Sequence, residues 1–131
     1  MPTATSERAV IILVEEEADI RTWMTGLLEQ GGFVVAAVDT TDDALKLLEQ
    51  HRGSVGIVTD AHVPGTIDGW ELAHEVRRRR PDVALVLISA HSDASSGPLP
   101  EGAEFLIKPY VVSNLVPTLR RMLNKEDGTS T

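Results

Sequence analysis

Two kinds of hydrophobic pattern alternate along this chain of 131 residues. Short continuous apolar runs are typical of strands covered on both faces, and apolar residues that recur every three or four positions are typical of amphipathic helices. The apolar runs predict strands at 9–14, 33–38, 55–60, 83–88 and 103–107. The periodic stretches predict helices at 18–30, 40–50, 70–79 and 113–124, and a short or broken helix within 92–100.

The periodic stretches also predict which helix side chains face the interior. Gly31 ends the first helix, and Asp68 is predicted to cap the start of the third. Trp23 and Trp70 are both predicted to be buried or half-buried, and Pro117 is expected to delay or kink the start of the last helix. The predicted inward residues are Ile20, Trp23, Met24, Leu27 and Leu28 in the first helix, and Ala44, Leu47, Leu48, Leu72, Ala73, Val76, Leu115, Leu119, Met122 and Leu123 in the others.

The alternation of strands and helices predicts the fold class. Five alternations indicate an α/β fold, in which right-handed crossovers place helices on both faces of a five-stranded parallel sheet. This doubly wound, flavodoxin-like arrangement is expected to occupy residues 9–124 as a single domain, with disordered termini at 1–8 and 125–131.

Composition excludes several classes of function. The chain has no cysteine, which excludes disulfides and thiolate chemistry, and its formal net charge of -8 argues against nucleic acid or an anionic membrane as a partner. The sequence shows no signal-peptide pattern and no apolar run long enough to span a bilayer, so we expect a soluble, cytoplasmic protein.

The basic run Arg77–Arg80 precedes Pro81, and we interpret it as a solvated helix end rather than a nucleic-acid patch.

Polar residues follow the predicted strands at the edge where an open parallel sheet binds its ligands. Asp60 ends the third strand, Glu15 and Glu16 follow the first, and Ser89 and Lys108 follow the fourth and fifth. Converging carboxylates repel one another, and a magnesium ion or a lysine relieves that repulsion. A carboxylate beside a metal, an ammonium group and a hydroxyl is typical of phosphoryl transfer, with the carboxylate as nucleophile. The alternative is that Asp60 is only a polar residue at the end of a strand.

Short motifs along the chain occur in an order that is far more specific than any one of them. They are Glu15-Glu16, Asp60, Pro64, Asp68-Gly69, Ser89-Ala90, Gly102-Ala103 and Lys108-Pro109-Tyr110. In this order the chain resembles the receiver domain of two-component response regulators. The resemblance implies that Asp60 accepts a phosphoryl group from a phosphohistidine of a histidine kinase or a histidine phosphotransfer protein. It also implies a site in which Mg2+ is held by Glu15, Glu16, Asp60 and the backbone carbonyl of His62, while Ser89 and Lys108 bind the phosphoryl oxygens.

The same resemblance implies a signalling protein rather than an enzyme with a separate substrate. The protein would catalyse only its own phosphorylation and dephosphorylation, with Ser89 and Phe105 as the residues of a conformational switch. His62 and His91 would flank the path of the water that hydrolyses the phosphoaspartate, and would modulate its lifetime. Such a receiver acts alone or as part of a hybrid histidine kinase.

Several positions depart from the usual pattern of the family. Glu16 stands where Asp is usual, and Phe105 stands where Tyr is frequent. The loop before Asp68 is one residue longer than the commonest form, and the stretch 89–108 is shorter. Magnesium demands near-ideal octahedral geometry, so the extra methylene of Glu16 raises an alternative function. The alternative is a pseudo-receiver that binds partner proteins without phosphorylation.

Overall fold

The computed structural model describes residues 9–89, 98–107 and 111–126. The strands in these ranges are β1 (Val10–Val14), β2 (Val34–Val38), β3 (Val55–Asp60), β4 (Ala84–Ser89) and β5 (Glu104–Ile107). The helices are α1 (Ala18–Gln30), α2 (Thr41–Gln50), α3 (Gly69–Arg79) and α4 (Val111–Glu126). These elements lie close to the predicted positions. The short helix predicted within 92–100 falls largely outside the described residues. None of the described helices is long and apolar enough to cross a membrane.

The described strands form one parallel sheet with the order β2-β1-β3-β4-β5. The register pairs Val14 of β1 with Thr59 of β3, and Asp60 of β3 with Ile88 of β4. This topology confirms the predicted doubly wound α/β fold, and its strand order is that of flavodoxin-like proteins. Because β3 is the middle strand, the carboxyl ends of β1 and β4 lie on either side of Asp60.

Each face of the sheet has its own hydrophobic core. Successive strand residues point to opposite faces, so Ile11 joins the core beneath α1 and α4, while Ile12 joins the core beneath α2 and α3. Each fully buried leucine contributes about 2 kcal/mol to the free energy of folding. The helix residues buried in the two cores are Met24, Leu28, Leu115, Leu119 and Leu123 on one face, and Ala44, Leu48, Leu72, Ala73 and Val76 on the other. These residues confirm most of the predicted inward positions.

Trp23 is the exception among the predicted inward residues, because its side chain is 49% exposed. The buried side of α1 is centred on Met24 and Leu28, which lie one turn apart. Successive residues of a helix are separated by about 100°, so Trp23 lies at the border of the buried stripe and faces solvent. The prediction that Trp23 packs in the interior is therefore wrong, whereas the burial of Trp70 is confirmed.

The start of α4 also differs from the prediction. The helix begins at Val111, not near Ser113, and it continues through Pro117. Proline has no backbone N–H, so the helix lacks the hydrogen bond that another residue at position 117 would donate to the carbonyl of Ser113. Both Pro117 and Ser113 are exposed, so water reaches that carbonyl. Burial of Val111 and Leu115 on the opposite side stabilises the early turns of the helix.

The basic run at the end of α3 is only partly solvated. Arg77 donates hydrogen bonds to the backbone carbonyls of Glu101 (2.9 Å), Pro81 (2.7 Å) and Val83 (2.9 Å). It therefore joins the end of α3 to the turns that precede β4 and β5. For this residue the interpretation as a solvated helix end is wrong, because a guanidinium group can satisfy several carbonyls at once.

The other arginines of the run make ion pairs and further carbonyl contacts. Arg78 and Arg79 both pair with Glu75, and their hydrogen bonds lower the pKa of the Glu75 carboxyl. Arg80 forms an ion pair with Asp82, and its hydrogen bond lowers the pKa of the Asp82 carboxyl. Arg80 also donates to the backbone carbonyl of His51 at 3.0 Å. The interpretation as a solvated helix end holds for Arg78, whose side chain is 71% exposed.

We expect Arg77→Ala to lower the free energy of unfolding by about 3 kcal/mol, because three backbone carbonyls lose a charged donor. The matched control is Arg78→Ala in the same run, which removes only an exposed ion pair and should change stability by about 0.5 kcal/mol or less. Urea denaturation of both variants measures the difference. Equal losses in the two variants would contradict the role given to Arg77.

Candidate functional site

The candidate site lies at the carboxyl ends of the three central strands. Asp60 is the last residue of β3 and is half-buried. Because Val14 pairs with Thr59, Glu15 directly follows β1 at the level of Asp60, and Ser89 ends β4 on the other side. Glu15 is 4% exposed and Ser89 is 5% exposed. The topology therefore brings two carboxylates and a hydroxyl to adjacent positions of one edge.

The acidic loop after β1 is held by hydrogen bonds to its backbone. The Oε2 atom of Glu15 accepts a hydrogen bond from the N–H of Glu17 at 3.0 Å. Arg21 of α1 donates from Nη1 to the carbonyls of Glu15 (2.9 Å) and Glu16 (3.3 Å). The side chain of Glu16 is exposed. Arg21 is not among the residues predicted from the sequence, although its position in the first turns of α1 places it within reach of the preceding loop.

The β3–α3 loop, residues 61–68, connects Asp60 to α3. Its first residue, Ala61, donates from N to the carbonyl of Ile88 at 2.9 Å, and accepts from the N–H of Gly69 at 3.1 Å. At its end, Asp68 accepts from the N–H of Glu71 at 2.8 Å, while Glu71 accepts from the N–H of Asp68 at 3.0 Å. This capping box confirms Asp68 as the N-cap of α3.

Gly69 allows α3 to start directly against the backbone of Asp60. A Cβ atom at position 69 would lie 1.8 Å from the carbonyl oxygen of Asp60 and 3.0 Å from the hydroxyl of Thr59. Non-bonded carbon and oxygen atoms do not approach within 1.8 Å, so any larger residue would push the helix away from Asp60. The absence of a side chain at Gly69 therefore sets the distance between α3 and the candidate phosphoacceptor.

The tip of the β3–α3 loop rests on the first turn of α2. The N–H of Thr41 donates to the carbonyl of Pro64 at 3.2 Å, and its hydroxyl donates to the carbonyl of Ile67 at 2.6 Å. The N–H of Thr66 donates to Asp42 Oδ2 at 3.1 Å. These contacts are not predicted from the sequence, because they join residues that lie more than twenty positions apart.

The predicted switch residue Phe105 contacts the helix that follows this loop. Phe105 is half-buried in β5, and its ring meets the ring of Trp70 edge to face, with a centroid distance of 6.0 Å. Trp70 lies in the first turn of α3, and its Nε1–H is buried without a hydrogen-bond acceptor in the described part of the chain. The pair thus joins α3 to β5 by ring packing alone, which the sequence pattern does not reveal.

Two predicted site residues, Lys108 and His91, lie outside the described residues, and so does the Pro109-Tyr110 motif. His62 is described, and its side chain is exposed. Within 9–89, 98–107 and 111–126, no group of three or more histidine or acidic side chains is arranged to hold a metal ion. The donor atoms near Asp60 are nevertheless carboxylate and carbonyl oxygens. Magnesium takes one or two carboxylates and completes its octahedron with waters and other oxygens, so this donor set suits it.

Residues 11–120 match the family described as Response regulator receiver domain, and the chain belongs to this family. The resemblance noted in the sequence is thereby confirmed. The chain folds as a receiver domain, a phosphoacceptor module of two-component signal transduction. The family consists of receiver domains and is not in itself a family of catalytic enzymes. The comparisons give no support to a phosphorylation-independent pseudo-receiver.

Two curated relatives show the range of proteins in which similar receivers occur. The sensor kinase CckA of Brucella abortus is 33% identical over 128 residues, which cover 95% of this chain and 14% of CckA. The response regulator receiver protein CpdR of Brucella abortus is 29% identical over 116 residues, which cover 86% of this chain and 95% of CpdR. This chain therefore spans about a seventh of the first relative and nearly all of the second.

Solved structures agree with the fold. A response regulator receiver protein from Sinorhizobium medicae WSM419 superposes with a TM-score of 0.81 at 28% identity, covering 92% of this chain and 98% of that chain. The response regulator TrrA of Thermotoga maritima, solved in complex with Mg(2+)-BeF, gives a TM-score of 0.76 at 22% identity and covers 88% of this chain and 98% of TrrA. Both confirm the predicted fold class.

Proposed function

We propose that Asp60 is the residue of this receiver that accepts the phosphoryl group. The observation that carries the proposal is the position of Asp60 at the end of the middle strand, half-buried between Glu15 and Ser89. The donor is a phosphohistidine on a histidine kinase or a histidine phosphotransfer protein. A carboxylate oxygen of Asp60 attacks the phosphorus atom, the bond between phosphorus and the histidine nitrogen breaks, and the imidazole leaves with the electron pair.

Glu15, Asp60 and the backbone carbonyl of His62 would hold Mg2+, and Glu16 would contribute directly or through water. When bound, the ion neutralises charge on the carboxylates and on the phosphoryl oxygens. The side chain of Glu16 is exposed and unrestricted by burial, whereas the buried Glu15 is held by the hydrogen bond that its Oε2 atom accepts from the N–H of Glu17. The hydroxyl of Ser89 and the ammonium group of Lys108 would bind the phosphoryl oxygens.

Signalling requires a second conformation that phosphorylation favours. We propose that Ser89 moves toward the phosphoryl group and that Phe105, whose ring already meets Trp70 edge to face, then turns further inward. Phe105 is half-buried, so part of its ring still has surface to bury. A ligand shifts such an equilibrium only through contacts that differ between the two states. A hydrogen bond from the Ser89 hydroxyl to the phosphoryl group is such a contact. The altered surface, formed by β5 and α4, would then bind a downstream protein.

A direct assay tests this function. In this proposal, residues 9–124 form a single cytoplasmic domain. The protein is incubated with Mg2+ and acetyl phosphate. Intact-mass spectrometry should then show the addition of one phosphoryl group, and chelation of the metal should prevent it. No mass increase at saturating Mg2+ would overturn the proposal.

The lifetime of the phosphorylated state should depend on His62 and His91, which follow Asp60 and Ser89 by two positions in the sequence. We expect His62→Ala combined with His91→Ala to change the decay rate of the phosphoprotein by about two- to tenfold, less than the loss of a full general base. A slower decay means that the imidazoles orient the attacking water, and a faster decay means that they block its path. The measurement is the loss of phosphoprotein after acetyl phosphate is removed. His51 lies away from the strand ends that carry the site, so His51→Ala is the control. Equal lifetimes in all variants would contradict a role for His62 and His91.

A further inference from the structure

The β3–α3 loop is fixed at both ends by elements of the sheet edge and of α3. Ala61 is hydrogen-bonded to β4, and Asp68 is fixed by the capping box. Between these points the loop carries the carbonyl of His62, and it is one residue longer than the commonest form in the family. A longer loop has more conformations to lose when its carbonyl must meet a ligand.

The first turn of α2 holds the part of this loop that lies between its two fixed ends. Thr41 is completely buried, and its hydroxyl and N–H donate to the carbonyls of Ile67 and Pro64 on two sides of the tip. At Gly65, φ is +139°, and a Cβ there would lie 2.1 Å from the hydroxyl oxygen of Thr41. The loop backbone therefore passes directly over the threonine hydroxyl. Asp42 adds a third contact, with the N–H of Thr66, at the exposed surface.

We infer that Thr41 is a positioning residue for phosphoryl transfer, which holds the β3–α3 loop so that the His62 carbonyl is already placed for the metal. This inference rests on the proposed function, because it requires Mg2+ beside Asp60. Magnesium tolerates little deviation from octahedral geometry, so a mobile carbonyl must be ordered at the expense of binding. The threonine hydroxyl removes that cost before the ion arrives. Thr41 does not touch the reacting atoms and acts only through the loop.

The test compares two substitutions of Thr41 that keep its size or its hydroxyl. Thr41→Val keeps the shape and removes the donor, whereas Thr41→Ser keeps the donor. The quantity measured is the half-saturating Mg2+ concentration, both for binding of Mg2+ alone, followed by calorimetric titration without a phosphodonor, and for the rate of phosphorylation by acetyl phosphate, at a temperature where every variant is folded. We expect Thr41→Val to raise this concentration about five- to tenfold, the effect of one lost hydrogen bond, and Thr41→Ser to stay within about twofold of the parent.

A control variant separates positioning from stability. Leu123 is buried in the last turns of α4, at the opposite edge of the sheet, and Leu123→Ala should destabilise the fold while leaving the Mg2+ dependence unchanged. An equal rise in Leu123→Ala and Thr41→Val would show that Thr41 is only structural and would overturn the inference. Equal Mg2+ dependence in Thr41→Val and Thr41→Ser would overturn it as well.

The experiment also distinguishes failure of the inference from failure of the proposed function. If the parent takes up no phosphoryl group at any Mg2+ concentration, the function itself is wrong. If Thr41→Val is unfolded under the assay conditions, Asp42→Ala decides instead, since Asp42 is exposed and holds the same loop by accepting a hydrogen bond from the N–H of Thr66. We expect Asp42→Ala to raise the half-saturating Mg2+ concentration about twofold, and an unchanged value would then overturn the inference.

Discussion

Asp60→Asn is expected to abolish uptake of the phosphoryl group from acetyl phosphate while the fold stays intact. An amide oxygen is far less nucleophilic than a carboxylate, and asparagine is nearly isosteric with aspartate. In the absence of Mg2+ the variant should be as stable as the parent or more stable, because less repulsion with Glu15 remains. Intact-mass spectrometry measures the first effect, and thermal unfolding measures the second.

Asp68→Asn is the matched control for that experiment. Asp68 lies in the β3–α3 loop and caps α3, and asparagine is an equally good N-cap, so the helix should keep its start. We expect Asp68→Asn to be phosphorylated as fully as the parent. Addition of a phosphoryl group to Asp60→Asn, or its loss from Asp68→Asn alone, would mean that the phosphoacceptor has been assigned to the wrong carboxylate.

Gly69→Ala should lower the free energy of unfolding by about 3 kcal/mol, at the upper end of the usual range for overpacking. The new methyl group would lie 1.8 Å from the carbonyl oxygen of Asp60, and a backbone atom cannot turn away as a side chain can. The start of α3 must therefore move from the strand end, so phosphorylation should slow as well. Urea denaturation and the rate of phosphoryl uptake measure the two effects.

Gly26→Ala gives the opposite expectation for the same chemical change. Gly26 lies within α1, and a Cβ there would meet no atom within 4 Å apart from its chain neighbours and the backbone of the helix itself. Alanine should stabilise the helix by about 1 kcal/mol, because glycine has the greater backbone freedom to lose. A denaturation midpoint for Gly69→Ala at or above that of Gly26→Ala would show that α3 accommodates the methyl group without strain.

The hydrophobic pattern predicts the fold well because the central strands are buried on both faces. Their apolar runs leave no other arrangement for β1, β3 and β4 than the middle of a covered sheet. The pattern fails at the edge of a helical stripe, where one residue of rotation decides whether Trp23 faces the core or solvent. It also fails at Pro117, because the effect of a proline depends on whether water reaches the carbonyl that it leaves unpaired.

The candidate site divides in a similar way. Asp60, Glu15 and Ser89 follow from topology, since parallel strands end at a common edge. The supporting contacts do not follow, because they depend on side chains that meet across the fold. The hydroxyl of Thr41 reaches the carbonyl of Ile67, and Arg77 reaches the carbonyl of Glu101, each through a tertiary contact. Neither residue differs in the sequence from an ordinary helix residue.

The unequal burial of the two tryptophans gives this protein two optically distinct fluorophores. Trp23 is 49% exposed and its emission is open to aqueous quenchers, whereas Trp70 is 7% exposed and is shielded from them. Once iodide has quenched the outer indole, the remaining light comes from an indole in edge contact with Phe105. The natural chain thus carries its own spectroscopic probe of the junction between α3 and β5, and no dye has to be attached to observe it.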